Sequence, residues 1–148
     1  MITVNVKLQK LSDQFIMPAY ASEGASGLDL FACISEDLEI SPMGRVLIPT
    51  GFAMSLSEGY EAQIRPRSGL AWNHGITVLN SPGTIDRDYR GEVKVMLINL
   101  GDERYTIKPK SRIAQMVIVE VCPAEIIMVT QLEVTERGEG GFGSTGIT

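Results

Sequence analysis

Hydrophobic and polar residues alternate with a period of two along much of this chain. At its start, Ile2, Val4, Val6 and Leu8 are separated by polar residues, as one buried face of a strand requires. The longest strand-like runs are 91–100 (GEVKVMLINL) and 112–121 (RIAQMVIVEV). Both are rich in the β-branched residues that suit a pleated, half-buried surface. Shorter strands are predicted at 28–34, 45–49, 51–56, 61–65, 77–79 and 124–134. Turn signals separate them: Ser41-Pro42, Pro49-Thr50-Gly51, Ser57-Glu58-Gly59, Ser81-Pro82-Gly83, Gly101-Asp102 and Lys108-Pro109. Many short strands punctuated in this way predict an all-β fold, a sandwich, jelly roll or barrel. One helix of one or two turns is predicted at 68–74. No repeat or linker divides the chain, so it reads as one β-domain, 1–136, followed by a different segment, 137–148. That segment has five glycines in twelve residues, too many to contribute to a core, and it should be mobile when left alone.

Composition narrows the function classes. Thirteen basic and 18 acidic residues give a net charge of −5, which argues against general affinity for nucleic acid or anionic membranes. A local basic pocket for a small anion stays compatible with it. The two cysteines, Cys33 and Cys122, make no disulfide framework, and a single histidine leaves no Cys/His zinc cluster. The opening MITVNVKLQKL carries no apolar run of signal-peptide length. No stretch approaches the ~20 apolar residues that span a bilayer. The cytoplasm is the expected location.

Five segments carry residues suited to chemistry, each with a plainer alternative. ASGLDL at 25–30 puts Asp29 in an apolar strand, where an acid needs a partner or a role; the alternative is a turn aspartate at a strand start. PRSG at 66–69 offers the donor fork of Arg67, with Ser68 and the following amides at a short helix start. Its alternative is a β-turn with an exposed arginine. NSPGTIDRDYRG at 80–91 lies between apolar runs and should form a long β-hairpin. Asp86 and Asp88 are candidate bases or metal ligands there and Tyr89 a stacking ring, against a hairpin with solvated charges. RIAQ at 112–115 places an arginine and Gln115 at the head of the most apolar run, unless these are an edge-strand polar pair. In RGEGGFGSTGIT at 137–148, Gly141, Gly143 and Gly146 match G-x-G-x-x-G, but only two residues follow and no helix can form after them. The run can instead turn amides and hydroxyls toward one anion, with Arg137 adding charge and Phe142 covering a flat base. Trp72 and His74 read as packing residues.

Taken together, and in this order, the five segments resemble the five motifs of the homotrimeric dUTPase family (deoxyuridine 5′-triphosphate nucleotidohydrolases), over 122 of the 148 residues, from 25 to 146. The resemblance implies a β-barrel-like jelly roll and a homotrimer whose three chains share three active sites. It implies hydrolysis of dUTP to dUMP and pyrophosphate with Mg2+ on the triphosphate, an activity that limits uracil in DNA and supplies dUMP for thymidylate synthesis. By position, Asp86 matches the acid that orients and deprotonates the attacking water. Tyr89 matches the ring beneath the deoxyribose that leaves no space for a 2′-hydroxyl. Asn80, with Gly83 in the hairpin around it, matches the uracil-reading edge. Arg67, Ser68, Gly69 and Gln115 match phosphate contacts, and Asp29 the acid near the magnesium, through bound water. Arg137, Phe142, Gly143, Ser144 and Thr145 match an arm that closes over a neighbouring chain's site, with Phe142 on the uracil. Trp72-Asn73 and Lys110-Ser111 depart from the family's usual residues, away from any catalytic atom. A dCTP deaminase, or a bifunctional deaminase–dUTPase, shares the fold but carries a water-activating glutamate beyond the third motif. Here Met96 stands near that place, and Glu92 directly follows Gly91. A catalytically silent nucleotide-binding regulatory module is the third reading.

Overall fold

In a computed structural model of the chain, residues 3–141 are described. Their strands are β1 (Val6–Lys10), β2 (Ala19–Tyr20), β3 (Leu28–Phe31), β4 (Leu38–Ile40), β5 (Arg45–Leu56), β6 (Tyr60–Arg65), β7 (Ile76–Val78), β8 (Gly83–Ile85), β9 (Glu92–Asn99), β10 (Tyr105–Ile107) and β11 (Arg112–Glu120). The single helix among them, α1 (Ser68–His74), lies where the sequence predicts it. A four-stranded sheet runs β1-β5-β9-β7, a five-stranded sheet runs β2-β3-β11-β6-β8, and β10 pairs with β4. All pairings are antiparallel. The all-β architecture read from the period-two pattern is what forms.

Alternation explains the core. In β9, Val93, Val95, Leu97 and Asn99 point inward at no more than 1% exposure, while Glu92, Lys94 and Met96 point outward. Val93, Val95 and Leu97 meet Ile48 and Phe52 of β5, Leu30 of β3, Ile64 of β6, and Ile113 and Met116 of β11 in one cluster. Burying each large aliphatic or aromatic side chain contributes about 1.5–3 kcal/mol. The buried Asn99 is satisfied: its amide donates to the carbonyls of Ile40 and Glu103 and its oxygen accepts from the Gly101 amide.

Four expectations are corrected. Trp72, read as a packing residue, is 90% exposed. The strands predicted at 45–49 and 51–56 are one strand, β5, and the intervening Pro49-Thr50-Gly51 is a bulge rather than a turn. The strand predicted at 28–34 ends at Phe31. The strand predicted at 124–134 is absent: among the described residues no strand follows β11, and Ile126, Met128, Leu132 and Val134 are each more than 80% exposed. An apolar run becomes a strand only beside an edge with free N–H and C=O groups, and this segment meets none in its own chain. The short strands β2, β4, β8 and β10 have two or three residues each. Each exists through pairing with a partner rather than through a pattern of its own.

The segment 80–91 does join two paired strands, since Ile76 of β7 faces Asn99 and Val78 faces Leu97. Its course is less local than a hairpin loop. Residues Gly83–Ile85 leave that sheet and pair as β8 with β6 of the other.

Candidate active site

Three strands bring the first, second and fourth segments into one row. Gln115 on β11 faces Asp29 on β3 on one side and Arg65 at the end of β6 on the other. The Asp29 side chain is 14% exposed and sits between two guanidinium groups. Its Oδ2 accepts from Arg112 Nη1 at 3.0 Å, and its Oδ1 lies 3.7 Å from Arg67 Nε. Arg67 Nη1 also donates to the Arg112 carbonyl at 3.0 Å. Gln115 Nε2 donates to the Pro66 carbonyl at 2.9 Å, tying β11 to the turn before α1. Gly27 makes this approach possible: a Cβ there would lie 2.5 Å from Gln115 Oε1 and 3.0 Å from its Cβ.

Arg67 is the N-cap of α1 and Ser68 its first residue, and the Ala71 amide is the first to bond back, to the Arg67 carbonyl. The exposed Ser68 and Gly69 therefore present first-turn amides outward. Buried Leu70 anchors the helix, and Gly75 ends it in the left-handed region at φ 67°. Two guanidinium groups against one carboxylate leave a net positive patch, suited to phosphate oxygens. Arg112 had no separate role in the sequence reading. Its signal was its place at the head of β11, which only the pairing with Asp29 makes meaningful.

The third segment forms a second group. Tyr89 N donates to the Asp86 carbonyl at 3.1 Å, closing a tight turn. Tyr89 Oη donates to the Glu92 carbonyl at 3.2 Å. The ring lies so closely over Gly91 that any side chain there would collide with it. Asp86 and Tyr89 are both exposed and share a cleft of about 380 Å³ with Glu92 and Lys94. On its other side Asp86 borders a cavity of about 580 Å³ with Glu58, Glu61 and Asp88, against one guanidinium from Arg87. That lining is strongly acidic, which disfavours a polyanion there. Asn80 packs on Gly83, where an added Cβ would lie 3.2 Å from Asn80 Nδ2. These two do not line the Asp86–Tyr89 cleft. Glu92 is engaged rather than free: its Oε1 accepts from the Gly51 amide at 3.0 Å and its Oε2 lies 3.8 Å from Lys94 Nζ. Met96 is an outward residue of β9. Neither supplies the free, water-activating carboxylate that a deaminase needs.

The two groups do not meet within one chain. Ile85 pairs with Ala62, so Asp86 leaves β8 at the Tyr60 end of β6. The phosphate-type cluster lies past Arg65, at the other end. From Glu61 to Arg65 the strand covers about 13 Å at 3.3 Å per residue, and Arg67 lies further on. Arg137 is exposed and donates to the Gly140 carbonyl at 2.8 Å, within its own turn. Phe142, Gly143, Ser144 and Thr145 lie outside the described residues.

Among the described residues no three His, Cys, Asp or Glu side chains gather as a metal cage. Both oxygens of Asp29 face guanidinium groups, so a directly bound cation would have to displace an arginine. A magnesium that keeps its waters, as this ion prefers, would fit beside Asp29 without displacing an arginine.

The dUTPase family model matches residues 13–146. The chain belongs to the dUTPase family. It is 57% identical over 143 residues to the deoxyuridine 5′-triphosphate nucleotidohydrolase of Wolinella succinogenes, covering 97% of this chain and 95% of that one. A Hydrogenobaculum dUTPase is 58% identical over 140 residues, covering 95% and 96%. Among solved structures, the dUTPase of Staphylococcus bacteriophage 80alpha with dUPNHPP superposes with a TM-score of 0.84 at 28% identity, covering 97% of this chain and 99% of that one. A dUTPase from phage phi11 of S. aureus, at 22% identity and a TM-score of 0.76, shares the fold. The jelly-roll-like fold and the enzyme class read from the five motifs, a dUTP diphosphatase, are thereby borne out. Among the described residues, no helix is long and apolar enough to cross a membrane.

Within the dUTPase frame, the approach of Gly27 to Gln115 yields a prediction. Gly27→Ala displaces Gln115 from the Pro66 carbonyl and raises KM for dUTP by about tenfold, the equivalent of one hydrogen bond, with kcat little changed. Steady-state kinetics checks it, and an unchanged KM would remove Gln115 from substrate binding.

Proposed function

We propose that the chain hydrolyses dUTP to dUMP and pyrophosphate at sites shared between chains of a homotrimer. One observation carries the shared site: Asp86 with Tyr89, and Arg67 with Gln115, lie at opposite ends of β6. A triphosphate nucleotide held by both groups therefore needs the Asp86 end of one chain facing the Arg67 end of another. The exposed apolar segment 124–134 supports the same reading, because a neighbouring chain's free sheet edge would give it the partner it lacks alone.

In the assembled site a water hydrogen-bonded to Asp86 attacks the α-phosphorus. The new bond is from the water oxygen to phosphorus. The bond from α-phosphorus to the α–β bridging oxygen breaks, pyrophosphate leaves with that electron pair, and Asp86 takes the water's proton. An exposed carboxylate suits this role once a second chain restricts water around it. Arg67, the first-turn amides of Ser68 and Gly69, and Gln115 orient the phosphate chain. Asn80 and Gly83 read the uracil edge, and Tyr89 lies beneath the deoxyribose. Asp29 orients Arg67 and Arg112 and would face the magnesium through water. That ion, when bound, neutralises charge on the triphosphate. The domain reading is retained: a β-domain, 1–136, and an arm, 137–148, whose Arg137, Phe142, Gly143, Ser144 and Thr145 close over a site. A cytoplasmic location, beside free nucleotide pools, accords with this activity.

Pyrophosphate release from dUTP by the purified chain tests the reaction. Ammonia from dCTP would instead indicate a deaminase, and binding without turnover a silent module. Sedimentation under assay conditions should return a mass of three chains, and a single-chain mass with full activity would overturn the shared site.

A further inference from the structure

β5 and β9 change register beside the Asp86–Tyr89 cleft. Pro49 faces Lys94 and Ala53 faces Glu92, so Thr50, Gly51 and Phe52 stand opposite Val93 alone. Such a bulge leaves backbone groups to be satisfied individually. Here they are: buried Thr50 Oγ1 donates to the Val93 carbonyl at 2.5 Å, and the Gly51 amide donates to Glu92 Oε1 at 3.0 Å. The Gly51 carbonyl accepts from the Leu11 amide at 2.8 Å. Gly51 has φ +80°, and Cys33 Sγ and Phe15 close the space beside it. The bulge is therefore a rigid mount. Glu92 is bound to it by its side chain, and by its own carbonyl holds the Tyr89 hydroxyl. The hydroxyl's bond to the Glu92 carbonyl and the close contact with Gly91 hold that ring.

We propose that Glu92 is a positioning residue for sugar discrimination: its carboxylate pins the start of β9 to the β5 bulge, and its carbonyl thereby holds the Tyr89 ring at one depth. This rests on reading Tyr89 as the ring beneath the deoxyribose. A ring free to sink or tilt by about 1 Å would make room for a 2′-hydroxyl, and errors of that size are costly in a positioned site. The hydrogen bond to Gly51 carries the effect. The contact with Lys94, at 3.8 Å and with the lysine side chain 45% exposed, contributes little because water screens it.

The test compares kcat/KM for dUTP and UTP in the parent, Tyr89→Ala, Tyr89→Phe, Glu92→Ala and Glu92→Gln, with trimer mass and Tm measured on each. Tyr89→Ala should erode the dUTP/UTP ratio. Glu92→Ala should lower the ratio by about tenfold, the equivalent of one hydrogen bond. Glu92→Gln keeps an acceptor for the Gly51 amide and should restore most of the ratio. Tyr89→Phe, which removes only the hydroxyl that reaches the Glu92 carbonyl, should lower the ratio like Glu92→Ala, and the double variant should add little. A parental ratio in Glu92→Ala would overturn the proposal, as would a loss shared equally by both substrates or Glu92→Gln behaving like Glu92→Ala. Should Glu92→Ala not fold, a parental ratio in Tyr89→Phe overturns it equally. A parental ratio in Tyr89→Ala would instead remove Tyr89 from ribose exclusion, the reading on which the proposal rests.

Discussion

Asp86→Asn lowers kcat for dUTP by roughly 10²- to 10⁴-fold, the usual contribution of a positioned general base, while a non-hydrolysable dUTP analogue binds with nearly unchanged Kd. Asparagine matches the shape of aspartate and still accepts a hydrogen bond from water, but it cannot take the proton. Asp86 follows the short strand β8, which β6 holds, and starts the turn closed by the Tyr89 amide. The substitution breaks none of those backbone bonds, so fold and nucleotide affinity survive. Rapid-quench or pyrophosphate-release kinetics, beside a binding titration, separates the two quantities. Near-parental turnover would take Asp86 out of the mechanism, and a parallel loss of affinity would make it a binding group.

Removal of residues 137–148 is expected to leave the fold and the proposed trimer in place and to cost roughly 10²-fold or more in kcat/KM, on the scale of a lost closing segment. The expectation follows from composition and from the fold together. Five of these twelve residues are glycine, and ordering each backbone costs about 1–2 kcal/mol. Among the described residues the last strand, β11, ends at Glu120, well before this segment. In the proposed arm, contacts with phosphate oxygens and stacking of Phe142 on the base would offset the ordering cost, so the loss is expected in the nucleotide-bound state. Circular dichroism, sedimentation and kinetics on the truncated chain check the three parts. Full activity without these residues would sink the arm's role.

The site's two halves were legible in the sequence to different degrees. Asp86, Tyr89 and Gly91 sit within six residues of one another, so their turn chemistry is local and shows in the string NSPGTIDRDYRG. Asp29, Arg67 and Arg112 lie far apart along the chain, and their ion pairs exist only because β3, β11 and β6 are neighbours in one sheet. Glu92 carried no special signal, because its partner, the Gly51 amide, is 41 residues away and becomes available only through a bulge.

By itself, then, the sequence determined the all-β class, the strands at 91–100 and 112–121, the short helix at 68–74 and the family. Each is written in local terms, a period of two, a run of β-branched residues, or a motif whose residues are near neighbours. Tertiary structure alone decided the rest. It joined 45–49 and 51–56 across a bulge, carried Gly83–Ile85 from one sheet to the other, and left 124–134 unpaired. It also set Asp86 and Arg67 at opposite ends of β6. Strand pairing is a contract between distant segments, since a strand's hydrogen-bonding groups are satisfied by another strand and never by itself. Which segments pair, and hence which side chains meet, is fixed only when the sheets form.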